Sequence, residues 1–474
     1  MKSSRVLFSW AVLCLLLSDP LPAAAGGFAT ARFGGEHGHV AADHVTAAYY
    51  NPAGLARVKG THLYIEGLFV YRTAAYERPE GAIDDVGTGT PNDPTALAAN
   101  SGRGELANFL VSPFLGVSSD LGIDNFGASL AVYAPFGGQA SWGTIDQFAD
   151  DQQYPGAFDG PQRWHTIEGA QRALYVTAAG AYEIIDGLSV GVGFNLVSQS
   201  ISVLRARNLD GTDDLLTPTG GLKEGRTLID GTDLSYSVGL GVQYEPVDGL
   251  WLGLSYQSTP GFGATGLDGQ LYGQYGQSGQ QDPVDTTLLF HLPDIIRFGL
   301  QYRPSAKFEL RAGGDYQRWS KFASHCLITR NDDPQCTLGA DGAVMDVTDG
   351  ATVLVGIPRN WKDTFGVRVG GSYWAIDGME LFGGVGYDSN AIPDETLEAG
   401  LMDMDKVVST LGVRYSLMDS LLLTGSLTNV FYFSRDVAPR TPENTPVQPS
   451  LSPDGAGTYT QSINLLTVGA LYAF

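Results

Sequence analysis

Apolar and polar residues alternate along several stretches of this chain. In residues 232–244, Leu234 and Tyr236 fall on one face of an extended segment, while Ser235 and Gly239 fall on the other. A period of two residues is the pattern of a β-strand with one apolar face. The same alternation recurs in residues 295–303, 307–319 and 364–373. The pattern therefore predicts an all-β protein.

A tyrosine ends the apolar face of every second predicted strand, and a tight turn begins four residues later. Aromatic side chains at one common depth are typical of the girdle at the membrane interface of a transmembrane barrel. A soluble β-sandwich has no comparable reason to place them there. The pattern therefore favours a barrel whose apolar faces meet lipid. The tyrosines are Tyr182, Tyr244, Tyr302, Tyr373 and Tyr415, and the turns begin at Asp186, Asp248, Ala306, Asp377 and Asp419.

Short turns alternate with long polar segments between these strands, as they do in outer-membrane barrels. Counting the strands predicts a 14-stranded antiparallel transmembrane β-barrel over residues 61–474, with long extracellular loops and an alternating final strand that ends at Phe474. Pro113 and Pro293 interrupt two of the strands. The predicted strands are 62–73, 108–118, 125–135, 172–183, 188–203, 232–244, 249–258, 287–303, 307–319, 361–373, 379–388, 404–416, 420–433 and 461–474.

The N-terminus has the composition of a secretory signal. Lys2 and Arg5 precede an apolar run from Val6 to Leu17, and three alanines end the segment at Ala25. A basic start, an apolar core and small residues at the end are typical of a cleaved signal peptide. We therefore assign residues 1–25 to a signal peptide and expect a multi-pass protein of the bacterial outer membrane.

Charge excludes one class of partner. The chain carries 28 Lys and Arg residues against 51 Asp and Glu residues, a net charge of −23. Binding to nucleic acid requires a basic surface, so we expect no nucleic-acid partner. The one long apolar run lies at the N-terminus, which excludes a bundle of membrane helices.

Two cysteines remain after removal of the signal peptide. Cys326 and Cys336 lie close together in a polar segment between strands. Export places them in an oxidising compartment, where neighbouring cysteines form disulfide bonds. We expect a Cys326–Cys336 disulfide in an extracellular loop.

Residues 26–60 do not alternate, yet they are too apolar for a linker. They contain the sequence Asn51-Pro52-Ala53-Gly54, which predicts a fixed turn. A compact segment of this size at the periplasmic end of a barrel can plug the lumen. We therefore predict an N-terminal hatch over residues 26–60.

The segment Tyr49–Ala56, with the sequence YYNPAGLA, resembles the signature of the FadL/TodX family of outer-membrane channels for long-chain fatty acids and other hydrophobic compounds. The resemblance spans nearly the whole mature chain. It implies a barrel with a hatch and a kink in the third strand, through which a substrate leaves sideways into lipid. Further similar stretches follow in the same order at Tyr133–Gly137, Tyr256–Pro260, Trp319–Phe322 and Tyr387–Thr396.

The resemblance places the substrate path and its gating on the hatch and on the third strand. Pro135 cannot donate a ladder hydrogen bond, and the two glycines after Phe136 leave the wall unfilled. We expect a kink there that is met by the Asn51–Ala53 turn; alternatively, the strand ends at Ala134 and a loop begins. The candidate path residues are Phe28, Asn51, Pro52, Ala53, Gly54, Pro135, Phe136, Gly137 and Gly138.

The predicted function is passive transport of hydrophobic molecules, either long-chain fatty acids or hydrocarbons, with lateral exit into the membrane. Expected partners are these small molecules together with outer-membrane lipid and lipopolysaccharide, and we expect a monomer with no cofactor. The alternative is a surface receptor or adhesin that displays loops on a closed barrel. A lateral gap in the wall would distinguish the first from the second.

Catalytic and metal-binding functions receive little support from the sequence. His37, His39 and His44 lie on the hatch, but their spacing fits no common metal site, so we expect none. His165 and His291 lie near predicted strand ends without a recognisable nucleophile motif. We therefore predict that the protein is not an enzyme.

Cleavage should occur after Ala25 and leave Gly26 at the N-terminus, because small residues end the signal. The intact mass of protein extracted from outer membranes measures this directly. Retention of residues 1–25 would contradict both the signal peptide and the predicted topology.

Overall fold

The computed structural model describes residues 32–35, 40–83, 94–263, 266–276, 279–339, 342–439 and 453–474. No helix among these residues is long and apolar enough to cross a membrane. The helices are α1 (Ala47–Tyr50) and α2 (Pro94–Asn100), with 3-10 turns at Pro52–Arg57, Glu80–Ala82, Asp146–Phe148, Pro155–Asp159, Pro161–Trp164, Pro260–Gly263, Trp319–Lys321 and Asp394–Thr396. The strands are β1 (Thr61–Arg78), β2 (Gly102–Ser119), β3 (Phe126–Ser141), β4 (Glu168–Ile185), β5 (Leu188–Arg207), β6 (Gly225–Val247), β7 (Leu250–Gln257), β8 (Gly266–Tyr275), β9 (Gly279–Gln280), β10 (Val284–Leu289), β11 (Ile295–Ser305), β12 (Phe308–Gln317), β13 (Ser324–Thr329), β14 (Cys336–Leu338), β15 (Val344–Val347), β16 (Val353–Pro358), β17 (Thr364–Ile376), β18 (Met379–Asp388), β19 (Lys406–Met418), β20 (Leu421–Tyr432), β21 (Arg435–Val437) and β22 (Gly457–Ala473).

A closed antiparallel barrel of 14 strands forms the body of the molecule, as predicted. The last strand, β22, pairs with β1 and closes the wall. Closure leaves no free sheet edge. A sheet that spans a membrane must be closed in this way, because lipid cannot satisfy unpaired backbone groups. The order around the wall is β1, β2, β3, β4, β5, β6, β7, β11, β12, β17, β18, β19, β20 and β22.

The two faces of the wall follow the alternation in the sequence. On β6, Leu240 and Val242 are 51% and 41% exposed toward lipid, whereas Gln243 on the lumen side is 1% exposed. The five tyrosines that predicted an interfacial girdle are all exposed on the outer face, between 40% and 48%. The tight turns that follow them connect neighbouring strands at one end of the barrel. The apolar band and its periplasmic girdle are therefore both present.

The predicted eighth strand, 287–303, is wrong in its first part. The strand is interrupted around Pro293, because β10 ends at Leu289 and β11 begins only at Ile295. Only β11 belongs to the wall, where it pairs with β7 and β12. Proline cannot complete a ladder on both sides of a central strand, which explains the break.

A second feature that the sequence did not predict is a sheet that extends the barrel outward. The first part of β6 pairs with β8, and the sheet continues through β10, β13 and β16. β8, β13 and β16 lie within segments predicted to be long loops, and β10 lies across the start of the predicted eighth strand. They are short and do not alternate clearly, so their pattern resembled that of polar connections.

Cys326 at β13 and Cys336 at β14 are joined by a disulfide, which confirms the predicted pairing. Their Cα atoms lie 6.3 Å apart. Cys326 is fully buried beside Leu289 and Ile328, in a small apolar cluster of the outer sheet. The bond therefore ties the β14–β15 hairpin to that sheet.

Replacing both Cys326 and Cys336 with serine should leave the barrel assembled but loosen the β14–β15 hairpin. A bond that closes a loop of about ten residues contributes roughly 2–3 kcal/mol by restricting the unfolded chain. The migration of unboiled protein on a denaturing gel tests assembly, and limited proteolysis of the outer loops tests loosening. Rapid labelling of free thiols in the oxidised native protein would contradict the assignment.

Candidate functional site

The hatch lies inside the lumen against a row of small inward-facing residues. Gly127, Ala181, Gly191 and Gly241 are register partners across β3, β4, β5 and β6. A Cβ atom built on Gly191 would lie 2.3 Å from the amide nitrogen of Ala53. A Cβ atom on Gly127 would lie 2.0 Å from the carbonyl oxygen of Leu55. The hatch backbone can therefore approach the wall only because these side chains are missing.

Asn51 holds the predicted Asn-Pro-Ala turn and also joins it to the wall. Its Oδ1 accepts a hydrogen bond from the amide of Ala53 at 3.1 Å. Its Nδ2 donates to the carbonyl oxygens of Val40 at 2.7 Å and Val242 at 3.0 Å. Asn51 is 1% exposed, so these bonds satisfy a buried amide. One side chain thereby fixes the turn, the hatch and β6.

The Asn51–Ala53 turn lies against β5 and β6 and not against the kink of β3, where we expected it. The 3-10 turn Pro52–Arg57 reaches β3 at Gly127, seven residues before Ala134. Register explains the difference, because the small residues that admit the turn align at the level of Gly127. The hatch residues that reach the kink region are Phe33 and Tyr49, whose rings lie 5.5 and 5.3 Å from the ring of Tyr133. Phe28 lies outside the described residues.

Strand β3 continues past Pro135 but changes register there. The pairing with β4 shifts between Tyr133 and Phe136, which is a bulge. Before the bulge the odd-numbered residues face the lumen, and after it the even-numbered ones do. A bulge re-aims the side chains that follow it. Phe136 therefore points inward and is 2% exposed, so the alternative reading, that the strand ends at Ala134, is wrong.

The pairing between β2 and β3 stops at the same level. The two strands pair only from Ser119 opposite Ala128 to Phe114 opposite Tyr133. Among the described residues, the strands meet again only near their outer ends, where Leu106 bridges to Trp142. Between these two points lies an interval without strand pairing, which we call the β2–β3 gap.

Side chains satisfy part of the backbone beside the β2–β3 gap. The Arg72 guanidinium donates to the carbonyl oxygen of Gln139 at 3.0 Å, and to Oε1 of Gln461 at 2.8 Å. The hydroxyl of Ser112 donates to the carbonyl oxygen of Ala134 at 3.4 Å. An unpaired backbone group in a membrane is costly unless protein or water satisfies it. These bonds lower the free-energy cost of the unpaired backbone groups beside the gap.

A cavity of about 170 Å³ lies in the outer half of the lumen and borders the β2–β3 gap. Gly138, Gln139 and Ala140 of β3 line it directly. Much of the remaining surface is apolar and comes from the walls, the outer sheet and the loops. These apolar residues include Ile201, Val203, Ile229, Leu288, Leu327, Val355, Ile357, Trp319, Trp361, Ile392, Leu401 and Met402.

Aromatic side chains of the hatch, β2 and β3 pack together at the lower edge of the β2–β3 gap, and we call them the aromatic layer. Phe33 of the hatch packs against Phe114 of β2 with ring centroids 4.9 Å apart. Phe114 and Tyr133 stack at 5.4 Å and form the last register pair below the β2–β3 gap. Tyr49 completes the contact from the hatch. The layer packs the hatch against the wall at the level where pairing between β2 and β3 stops.

A group of buried polar residues lines one part of the cavity. Oε1 of Glu398 forms an ion pair with Nη1 of Arg359 at 2.9 Å. Oε2 of Glu398 lies 3.4 Å from Nδ1 of His165. Burial acts to raise the pKa of Glu398, but Arg359 and His165 hold it well below its ordinary value, so the carboxylate stays ionised. Burial and Arg359 lower the pKa of His325, so that imidazole is neutral. In the sequence, His165 lies near a predicted strand end, and no motif links it to Arg359, Glu398 or His325.

His44 and His291 make ordinary packing and hydrogen-bond contacts. Nδ1 of His44 accepts a hydrogen bond from the amide of Thr46 at 3.3 Å, and its ring packs on Tyr64. Nε2 of His291 lies 2.8 Å from the carbonyl oxygen of Gly263. His37 and His39 lie outside the described residues. Among the described residues, no group of three or more His, Cys, Asp or Glu side chains is arranged to hold a metal ion.

Comparison with known proteins agrees with this architecture. A family model described as outer membrane protein transport protein (OMPP1/FadL/TodX) matches residues 23–474. No curated protein matches the chain at a significant level.

Solved structures share the fold. A Pseudomonas aeruginosa FadL homologue is 16% identical, with a TM-score of 0.71 over 96% of this chain and 99% of that one. The Ralstonia pickettii toluene transporter TbuX is 18% identical, with a TM-score of 0.60 over 95% and 98%. The P. putida toluene transporter TodX is 16% identical, with a TM-score of 0.58 over 95% and 99%.

Replacing Gly241 with alanine should displace the hatch. The new Cβ atom would lie 1.9 Å from Oδ1 of Asn51, which cannot move without breaking its other bonds. Overpacking of this kind lowers the free energy of unfolding by about 1–3 kcal/mol. We expect a higher ion conductance in planar bilayers and faster proteolysis of the hatch than in wild type.

Gly239→Ala is the matched control, because Gly239 lies on the same strand and its Cβ atom would meet nothing within 4 Å. This variant should behave as wild type. Equal conductance and equal hatch protection in the two variants would show that the glycine row does not seat the hatch.

Proposed function

Because this chain belongs to the OMPP1/FadL/TodX family of outer-membrane transport proteins, we propose that it carries hydrophobic molecules passively and releases them sideways through the β2–β3 gap. The protein lies in the bacterial outer membrane as a closed barrel. The substrates we propose are long-chain fatty acids or hydrocarbons. The single observation that carries the lateral route is the loss of pairing between β2 and β3 beside an apolar cavity.

The cavity supports the capture step. Apolar side chains from β5, β6 and the outer sheet line it, so a hydrocarbon chain that enters from outside leaves water there. Burial contributes about 0.8 kcal/mol for each CH₂ group. Candidate path residue Gly138 lines the cavity, and Phe136 packs toward Trp319 with centroids 6.4 Å apart. We expect the surrounding outer loops to contact lipopolysaccharide and outer-membrane lipid.

The hatch supports a sideways release. The aromatic layer of Phe33, Tyr49, Phe114 and Tyr133 packs the hatch against the wall at the lower edge of the gap. We propose that the hatch thereby blocks the straight route toward the periplasm. A solute in the cavity then has lipid as its nearest apolar phase. No energy source is required, because an apolar solute is more stable in lipid than in water.

Ion pairs hold the hatch against the opposite wall. Arg32 pairs with Asp388 of β18 at 3.1 Å, and Asp388 also pairs with Arg368 at 2.7 Å. Arg368 continues the network to Asp315 of β12. We propose that this network keeps Phe33 in the aromatic layer, so that movement of the hatch can widen the path.

The alternative function, a receptor or adhesin on a closed barrel, needs no interruption of the wall. An unpaired interval would only weaken such a barrel, and Arg72 and Ser112 are placed to support one. The β2–β3 gap therefore favours transport.

Replacing Gly138 with tryptophan should reduce uptake of a hydrophobic substrate at least tenfold, because the side chain would occupy the cavity beside the gap. The measurement is uptake of labelled oleate and labelled toluene by cells that express the protein. Gly425→Trp is the control, because Gly425 of β20 has open space around it.

Surface display and heat-dependent gel migration must match wild type in both variants. Normal uptake in a correctly assembled Gly138→Trp variant would exclude exit through the gap. Uptake that is low in both variants would point to a general loss of assembly and would exclude Gly425 as a neutral position.

A further inference from the structure

The apolar lipid face of β11, β12 and β17 ends at a group of charged residues. Ile296, Tyr316 and Phe365 lie side by side in the register and are 38%, 40% and 51% exposed on this face. Arg318 lies two residues beyond Tyr316 and ten residues beyond the register partner of Tyr373, a tyrosine of the periplasmic girdle. Ten residues of a tilted strand rise about 25 Å, which is the height of the apolar band. Arg318 is therefore level with the head groups of the outer leaflet.

Arg318 and Lys321 are held in place by a buried carboxylate. Asp294 is 1% exposed, whereas the side chains of Arg318 and Lys321 are 44% and 35% exposed. Nε of Arg318 donates to Oδ1 and Oδ2 of Asp294 at 2.8 and 2.9 Å, and Nζ of Lys321 lies 3.5 Å from Oδ1. The hydroxyl of Tyr256 donates to Oδ2 of Asp294 at 3.2 Å. The carboxylate therefore fixes two cations whose outer sides stay accessible to a ligand.

This group carries positive charge in a strongly acidic protein. Burial acts to raise the pKa of Asp294, but the hydrogen bonds from Arg318 and the charge of Lys321 hold it below its ordinary value, so the carboxylate stays ionised. Asp363 lies near enough to interact electrostatically with Arg318, and the exposed Lys362 precedes it in the chain. Three cations and two carboxylates give the group a net charge of +1, although the whole chain carries −23.

The 3-10 turn Trp319–Lys321 presents different side chains to the two sides of the wall. Trp319 is 4% exposed, lines the cavity and packs toward Phe136. Arg318 and Lys321, on either side of it in the chain, are exposed, and so is Ser320. The proposed transport path uses only the inward side of this turn. Its charged outward side therefore needs a different explanation.

We propose that Arg318 and Lys321 bind a phosphate group of lipid A, the phosphorylated glycolipid of the outer leaflet, while its acyl chains lie on the apolar face below. A guanidinium binds phosphate through paired donors, and an ammonium binds it as a point charge. The cations lie directly above the exposed side chains of Tyr316 and Phe365, so one ligand with a phosphate and hydrocarbon chains meets both surfaces. This site is on the lipid side of the wall and does not depend on the transport function.

The test measures lipid binding by the purified mature protein in a neutral detergent. The buffer contains no divalent cations, so acidic loops cannot bind phosphate through a bridging ion. Native mass spectrometry gives the affinity for lipid A, for lipid A without its phosphates, and for phosphatidylglycerol. The proteins compared are wild type, the double variant Arg318→Gln with Lys321→Gln, and the double variant Arg103→Gln with Arg330→Gln.

The second double variant is the matched control, because it removes the same charge from exposed positions elsewhere. Arg103 lies 4.0 Å from Glu77 and 2.6 Å from Glu105 at the outer ends of β1 and β2. Arg330 lies 3.9 Å from Asp268 in the outer sheet. Heat-dependent gel migration verifies the assembly of each variant.

We expect wild type to bind lipid A roughly thirtyfold more tightly than its dephosphorylated form, because each cation beside a lipid phosphate contributes about fivefold. The variant without Arg318 and Lys321 should lose this preference, and the control should keep it. If the loss of both cations leaves Asp294 unpaired and prevents assembly, Lys321→Gln alone replaces the double variant. It should bind lipid A about fivefold more weakly than wild type, since Arg318 still pairs with Asp294.

Three results would overturn the assignment. Equal binding of lipid A and its dephosphorylated form by wild type would exclude a phosphate site. Equal weakening in the two double variants would show that only the net charge of the protein matters. Binding of phosphatidylglycerol as tight as that of lipid A would replace the glycolipid with phospholipids in general. Failure of the proposed transport function is distinct, because it is measured by uptake of a hydrophobic substrate and not by lipid binding.

Discussion

The need to satisfy every backbone polar group within lipid governs this structure. A barrel meets that need by pairing each strand with two neighbours. Strands β2 and β3 break the rule over the β2–β3 gap, where side chains supply two of the missing bonds. Arg72 is central, since it reaches from β1 to the carbonyl oxygen of Gln139 on β3. The unpaired interval can thus persist without separation of the two strands.

The same need to satisfy backbone groups determines how the hatch is held in the lumen. A loop inside a barrel must bury its own backbone groups, and here the wall approaches closely enough to accept them. Small residues at Gly127, Gly191 and Gly241 allow that approach, and Asn51 and Ser189 then bond across it. Each inward-facing glycine weakens its strand. The alignment of these glycines in one row indicates that the contacts between hatch and wall offset this loss of stability.

Much of the fold could be predicted from periodicity, because a wall between lipid and a polar lumen must alternate strictly. The tyrosine girdle and the tight turns that follow it added the positions of the short connections. The outer sheet escaped prediction, since β8, β10, β13 and β16 are short, and residues on both faces of β10 and β13 are buried, so they do not alternate clearly. The position of the Asn51–Ala53 turn also escaped it, because only the pairing register reveals that Gly191 and Gly241 are neighbours. The cavity residues come from many segments that are distant in sequence, and no motif joins them.

The β2–β3 gap and the apolar cavity lie side by side, and this placement orders the release that we propose. Gly138 and Ala140 of β3 line the cavity and also border the gap, so a hydrocarbon chain in the cavity lies next to the unpaired interval. The end of the chain that enters lipid first gains its transfer free energy while the rest stays in apolar surroundings. The chain does not return to water at any stage, which is why we propose release without an energy source.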